Sequence, residues 1–457
     1  MNVKKGEQKM NDMKKIRGLF ALALMAFLAM AYTSCKSYNQ DYQTAANDPK
    51  YIHQSMKKLT DVIIHDIFSP PVASRNYVYP SIAAYEAARW MDPSYKSLFG
   101  QLTDMPAIKA PESNQEYAYG IAATSAMLKT ATNYIFSEDK MNVYREEYLA
   151  EIDKINIDPA IIKRSIAYGE SVADQIIDWS NGDNYKESRS FPKFSVTDEE
   201  ARWQPTPPMY HEGIEPHWRD IRPMVIKSAD QFTPEVPTAF SMDKGSRFYQ
   251  ELMEVYTVVN NLNEEQKEIA SFWDCNPYVM NVTGHVMHAS KKITPGGHWV
   301  GITKIACEQT NADLIKTLEA YTLTSIALMD GFISCWDEKY RSNLIRPETV
   351  INEHVDKDWL PTLQTPPFPE YTSGHSVIST AAAEALTSIF GNQFSFKDDT
   401  EVEYGLPARS FPSFLAASQE AAISRLYGGI HYRPAIDNGV VQGRKLGKYI
   451  VGNVSFK

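Results

Sequence analysis

The stretch that most constrains the fold runs from Pro366 to Leu386. Pro366, Pro367 and Pro369 lock their own φ angles and remove three N–H donors, so the chain must arrive there extended. Ser373-Gly374-His375 follows, then an Ala-rich run from Ser376 to Leu386 with apolar residues at helical spacing. This pattern predicts a helix starting near Ser373. Its first turn would offer unpaired backbone N–H groups and the positive end of a helix dipole. Gly374 would let a ligand approach the backbone, with the Ser373 hydroxyl and the His375 imidazole beside it. Such a cradle suits a tetrahedral oxyanion.

The flanking segments supply charge. Lys339 and Arg346-Pro347 lie upstream, and Ser424-Arg425 and Gly428-Gly429-Ile430-His431 downstream. Arg grips an oxyanion through its fork and Lys acts as a point charge. The chain of 457 residues has a formal net charge of -10. That balance argues against nucleic-acid binding, and it makes three converging cations more informative. Taken singly each is more often a solvated surface charge. His375 and His431 are the two groups able to exchange a proton or bond covalently near neutral pH.

Lys-x6-Arg-Pro, Ser-Gly-His and Ser-Arg-x5-His, in this order and spacing, resemble the superfamily of vanadium-dependent haloperoxidases and type 2 phosphatidic acid phosphatases. Trp336 before Lys339, and Phe368 within Pro366-Pro367-Phe368-Pro369, are similar to positions lining the halide side of the pocket in the soluble haloperoxidase branch. The resemblance is sharp from Trp336 to His431 and fainter upstream, at 69–75, 85–88, Phe272-Trp273 and Gly297-His298-Trp299. It implies that Lys339, Arg346, Ser373, Gly374 and Arg425 hold vanadate or phosphate. His431 would be the axial vanadium ligand or a phosphohistidine nucleophile, and His375 the general acid/base. An Asp four residues after the histidine often orients it in the family. Here that position is Ala435, which leaves Asp437 or a backbone carbonyl to serve.

The N-terminus reads as a processing segment. Lys14, Lys15 and Arg17 precede an apolar run from Leu19 to Ala31, short for a bilayer span but suited to a signal peptide. It ends at Ala31-Tyr32-Thr33-Ser34-Cys35, which resembles a bacterial lipoprotein cleavage site with Cys35 lipidated. The expectation is an exported lipoprotein of a bacterial cell envelope, with signal peptide 1–34 and tether 35–50. Cys275, Cys307 and Cys335 remain, an odd number with no paired spacing, so buried free thiols are expected rather than a disulfide framework.

The remaining chain, 51–457, reads as all-α. Helices are expected at 51–68, 69–88, 115–136 and 137–155, and from Asp158-Pro159 to Trp179. From about 181 to 237 Pro, Trp and charged residues are frequent and no period holds. This is expected to be an irregular strap between an N-terminal helical half (51–180) and a C-terminal half (238–457) that carries the site. Helices are then expected at 245–260 and 263–274, near His298, and from Asn311 or Asp313 to Lys339. Others are expected at 411–427 and 437–451. Trp336 and Lys339 are three apart and would share a helix face. His285 and His288 invite a metal reading, but no Glu or Asp completes a zinc pattern there. His298 is expected to be structural or at the pocket rim.

The function expected is vanadate-dependent oxidation of halide by hydrogen peroxide. The alternative is a soluble acid phosphatase acting on phosphomonoesters with no cofactor. A further alternative is an inactive lipid-anchored binding protein of the same fold.

Overall fold

The computed structural model describes residues 6–10, 13–18, 38–277, 279–283, 286–289 and 291–457. The run Leu19–Ala31, Cys35 and His285 lie outside them, and the pairing of His285 with His288 does too. The main helices are α1 (Lys50–His65), α2 (Pro70–Ala88), α3 (Tyr119–Thr132), α4 (Glu138–Asp153), α5 (Pro159–Ser180), α6 (Arg247–Asn260) and α7 (Glu264–Phe272). They continue as α8 (Pro295–Gln309), α9 (Leu314–Ser342), α10 (Pro347–His354), α11 (Gly374–Phe390), α12 (Phe414–Tyr427) and α13 (Arg433–Asn453). Among the described residues no helix is long and apolar enough to cross a membrane.

Helix α9 organises the rest. Its 29 residues span about 43 Å at 1.5 Å per residue. The Asp313 side chain caps its start by accepting from the Lys316 N–H, and Asn343 ends it in the left-handed region at φ 48. One side of α9 packs against α2, which with α3 and α5 forms the first bundle. The other side packs against α11 and α13, which with α12 form the second. A helix apolar nearly all round is what a position shared by two bundles requires. Two crossings are too tight for any side chain. A Cβ at Gly169 of α5 would stand 2.1 Å from the Ala122 carbonyl oxygen of α3, and one at Gly443 of α13 would stand 2.2 Å from that of Val377 on α11.

The caps follow the sequence. The Ser69 hydroxyl accepts from Val72 N–H at 3.4 Å, Asp158 caps α5, and Ser373 caps α11. Helix α3 is shorter than its pattern. Beyond it the Asp66 carboxylate accepts the N–H groups of Phe136 and Ser137, holding them outside any helix. Helix α13 starts earlier than expected, at Arg433-Pro434, because a proline in the first turn needs no N–H partner.

Residues 189–246 hold one short 3₁₀ turn, at Trp218–Asp220, and one isolated β-bridge, from Arg202 to Leu344. They are nevertheless tied down. The buried Asp330 carboxylate of α9 accepts three successive N–H groups, from Met224, Val225 and Ile226, at 2.6, 2.8 and 3.0 Å. Ile214 donates its N–H to Pro367 O at 3.1 Å, and its own carbonyl accepts from Trp336 Nε1 (3.3 Å) and Tyr340 OH (2.5 Å). The segment therefore backs the wall of the site described below.

Two antiparallel ribbons depart from the purely helical expectation: β1 (Met280–Thr283) with β2 (Val286–Ala289), and β3 (Phe396–Asp398) with β4 (Arg409–Phe411). The strands of three or four residues are too short to leave a readable alternation.

Filling the crossing should be costly. Gly443→Ala is expected to lower stability by about 1–3 kcal/mol, the usual cost of overpacking, as a fall in urea midpoint with unchanged slope.

Candidate active site

The second bundle converges its helix ends on one cavity of about 40 Å³, room for roughly three waters or one small tetrahedral oxyanion. It is lined by Gly374, His375, Arg425 and His431, by Trp336, Phe332 and Phe368, and by Pro70, Asp274, Cys275, Asn276, Pro295, Gln364, Pro366 and Ile430. A larger cleft of about 480 Å³ lies beside α1 and α8, and neither His375 nor His431 lines it.

Each group arrives by a local device. Trp336 and Lys339 project from the last turns of α9. Arg346 is the N-cap residue of α10, and Gly374 and His375 are the first two residues of α11. Arg425 sits in the last turn of α12. The chain then turns through Gly429 at φ +76, a conformation side chains avoid, and delivers His431 just before α13.

His431 is 3% exposed and held from both sides. Its Nδ1 lies 2.8 Å from Glu370 Oε1, and the same oxygen accepts the Tyr432 N–H at 2.9 Å. An oxygen already accepting a backbone N–H must be an acceptor toward the ring as well, so Nδ1 carries the hydrogen. On the far side Arg346 Nη1 stands 3.2 Å from Nε2 and donates to Ile430 O at 2.7 Å. A guanidinium can only donate, so Nε2 carries the lone pair. Burial, then Arg346, Lys339 and Arg425, hold the ring well below the usual histidine value of 6.5, keeping it neutral. Burial raises Glu370 to about 8. Its Oε2 has no partner, so a proton taken up there leaves Oε1 an acceptor.

The orienting residue is thus Glu370, not Asp437 or a carbonyl. Asp437 is exposed on α13 and interacts with Arg433 and Glu254. Glu370 carries a signal in the sequence: it is the one Asp, Glu, Lys or Arg between Pro366 and Ala383.

His375 is the second neutral imidazole. Burial, then Arg425 and His298, push it well below 6.5, and its ring hydrogen-bonds the Trp273 backbone. Its buried Nε2 has no partner. Burial is the leading cause here. Stability owed to both rings is full above the unfolded value of 6.5 and is lost as pH falls toward their folded values.

The cations are placed unequally. Arg425 lines the cavity, its Nε on Ser424 Oγ (2.9 Å) and its Nη2 on Trp273 O (2.6 Å). Arg346 keeps one arm, Nη2, without a partner. Lys339 stands behind the wall. Its ammonium donates to the carbonyls of Pro369, Glu370 and Thr372 at 3.0, 3.0 and 2.6 Å, and burial lowers it to about 7. Ser373 is likewise engaged, its Oγ accepting the Ser376 N–H at 3.3 Å. Trp336 and Phe368 both line the cavity, with ring centroids 5.0 Å apart. Phe368 also faces Lys339 at 5.0 Å and Arg346 at 5.1 Å. His298 is fully buried and does not line the cavity.

These residues fit vanadate. Two unpartnered buried polar atoms, Arg346 Nη2 and His375 Nε2, accompany an imidazole whose Nε2 is unprotonated and whose lone pair meets only Arg346 Nη1 among the described residues. A mainly helical fold with two neutral imidazoles and buried cations converging on one small cavity defines the class. The model of the second helical-bundle domain of vanadium chloroperoxidase matches residues 319–456. A bacterial vanadium-dependent iodoperoxidase of known structure is 54% identical, with a TM-score of 0.85, over 89% of this chain and 97% of that one. Apo and holo bacterial vanadium-dependent chloroperoxidases, 15% and 16% identical, share the fold. Both have a TM-score of 0.63, over 84% and 85% of this chain and 94% and 93% of theirs. No match emerges among curated proteins. The chain belongs to the vanadium-dependent haloperoxidases.

Glu370→Ala should weaken vanadate binding by about 10–100-fold, the usual cost of losing a ligand's orienting partner. Glu370→Gln, which keeps an Oε1 acceptor, should lose far less; equal losses in a vanadate titration would refute the orienting role.

Proposed function

We propose that iodide is the halide this haloperoxidase oxidises most readily, with hydrogen peroxide as oxidant and vanadate as cofactor. The observation that carries the reading is the pair of neutral imidazoles in one cavity, each with Nε2 unprotonated or unpartnered. Bound vanadate supplies the Lewis acidity that activates hydrogen peroxide toward a halide. The chain does the rest. His431 Nε2 would hold the vanadium through its lone pair, kept in line by Glu370. Arg346 and Arg425 offset the anion's charge, and the Gly374 N–H stands in the cradle. His375 Nε2 accepts a proton from incoming hydrogen peroxide and returns it to the departing water. The balance is halide, hydrogen peroxide and one proton giving hypohalous acid and water.

The 54% identity to an iodoperoxidase supports iodide. So does the wall of Trp336, Phe332 and Phe368: a large, weakly hydrated, polarizable anion loses least on entering a dry aromatic pocket. Purified protein given vanadate, peroxide and one halide at a time should oxidise iodide faster than bromide or chloride, and His431→Ala should abolish the vanadate dependence. Phosphate release from a phosphomonoester without vanadate, together with no halide oxidation, would make the protein a phosphatase instead. Neither activity, in folded protein that binds no vanadate, would leave a binding protein.

We further propose that Cys35 is lipidated and anchors an exported protein to a membrane of the cell envelope. The basic Lys14, Lys15 and Arg17, the apolar run Leu19–Ala31 and the small residue before Cys35 support this. Cys35→Ser should move the protein from the membrane to the soluble fraction; an unchanged distribution would exclude the anchor.

A further inference from the structure

We propose that Cys275, His298 and Glu401 form a second metal site, of the zinc type, behind the oxyanion cavity. The three residues come from three segments. Cys275 follows the end of α7, His298 lies in the first turn of α8, and Glu401 follows β3. All are buried, at 1%, 0% and 6% exposure. Cys275 Sγ and His298 Nδ1 are 3.4 Å apart, Sγ and Glu401 Oε1 3.8 Å, and Nδ1 and Oε1 3.2 Å. Around a tetrahedral zinc, with bonds of about 2.3 Å to sulfur and 2.0–2.1 Å to nitrogen and oxygen, neighbouring donors stand about 3.3–3.6 Å apart. The triangle, with edges of 3.2, 3.4 and 3.8 Å, therefore brackets one face of a zinc tetrahedron and needs only a small adjustment to match it.

A second observation is independent of that triangle. The far nitrogen of His298, Nε2, is 2.8 Å from Asp398 Oδ2. The other oxygen of Asp398 accepts from Thr400 N–H (3.1 Å) and Thr400 Oγ1 (2.6 Å). A carboxylate on the rear nitrogen orients a metal-bound imidazole and directs the opposite lone pair, here on Nδ1, at the ion. Charge points the same way. Two buried carboxylates and a thiol share one imidazole, and among the described residues neither carboxylate pairs with a Lys or Arg. A divalent cation offsets that excess. The competing arrangement is a metal-free cluster with a protonated ring between the carboxylates and a neutral thiol.

The site would act as a clamp. Trp273, two residues before Cys275, stacks on the His298 ring at 4.5 Å, and its backbone holds both Arg425 and His375. Metal here would anchor the segment that positions two oxyanion-site side chains, whichever halide is oxidised.

The test is metal analysis of the full chain purified without chelator or vanadate and dialysed against metal-free buffer. About one zinc per chain is expected, lost in Cys275→Ser and Glu401→Gln but kept in Cys307→Ser and His431→Ala. After replacement by cobalt, a thiolate-to-cobalt absorption band should appear in the wild type and be missing in Cys275→Ser. Folding of each variant is checked by circular dichroism; if Cys275→Ser does not fold, Glu401→Gln and the cobalt band decide. Folded wild-type protein that takes up neither zinc nor cobalt would overturn the site. So would full zinc in folded Cys275→Ser and Glu401→Gln. Zinc lost in His431→Ala but kept in Cys275→Ser would place the metal at the oxyanion cavity and refute the proposal equally.

Discussion

One carboxylate oxygen, Glu370 Oε1, fixes the state of the site. By accepting both the Tyr432 N–H and the His431 ring N–H, it sets the imidazole's tautomer, its direction and the start of α13 together. The arrangement is costly, since Glu370 is fully buried and its carboxyl is raised to about 8. Arg346 and Lys339 hold that rise in check. Burial first, and the same cations after it, keep His431 unprotonated, so burial and one set of charges together keep an acid available as an acceptor and a base available as a ligand.

Those cations also organise the backbone. Lys339 draws three carbonyls of the 369–372 loop onto its ammonium, and Arg346 joins that loop to the turn before His431 through Phe368 O and Ile430 O. The extended, proline-rich approach to α11 cannot satisfy itself with helical hydrogen bonds, so long basic side chains from α9 and α10 do it. Lys339 is thereby a framework group as much as an electrostatic one, while Arg425 lines the cavity and Arg346 keeps one guanidinium arm unpartnered. Helix α9 makes this possible, because one rigid rod is core to both bundles and delivers Trp336 and Lys339 at its end. The irregular segment 189–246 is tied to the same rod through Asp330, Trp336 and Tyr340, so the wall of the cavity and the core of the fold are continuous.

Helical class and most caps were legible in the sequence because each depends on local spacing, and the residues now gathered near the cavity stood out through their resemblance to a family. Ser69, Asp158, Asp313 and Ser373 are caps next to apolar periods, and the basic and histidine blocks stand at recognisable intervals. Four things needed the tertiary structure. Glu370 orients His431 across 61 positions of sequence, and a sequence pattern does not show which acid meets which ring. The Lys339 contacts lie 30 to 33 positions away, on carbonyls that no side-chain pattern reports. Helix α3 stops early because the Asp66 carboxylate captures the N–H groups beyond it, a competition settled only by packing. Cys275, His298, Asp398 and Glu401 are scattered over more than a hundred positions and meet only because α7, α8 and β3 pack together. Local periodicity and turn chemistry act within a few residues and survive in the sequence; tautomer, charge sharing and donor geometry depend on distances that exist only once the helices have packed.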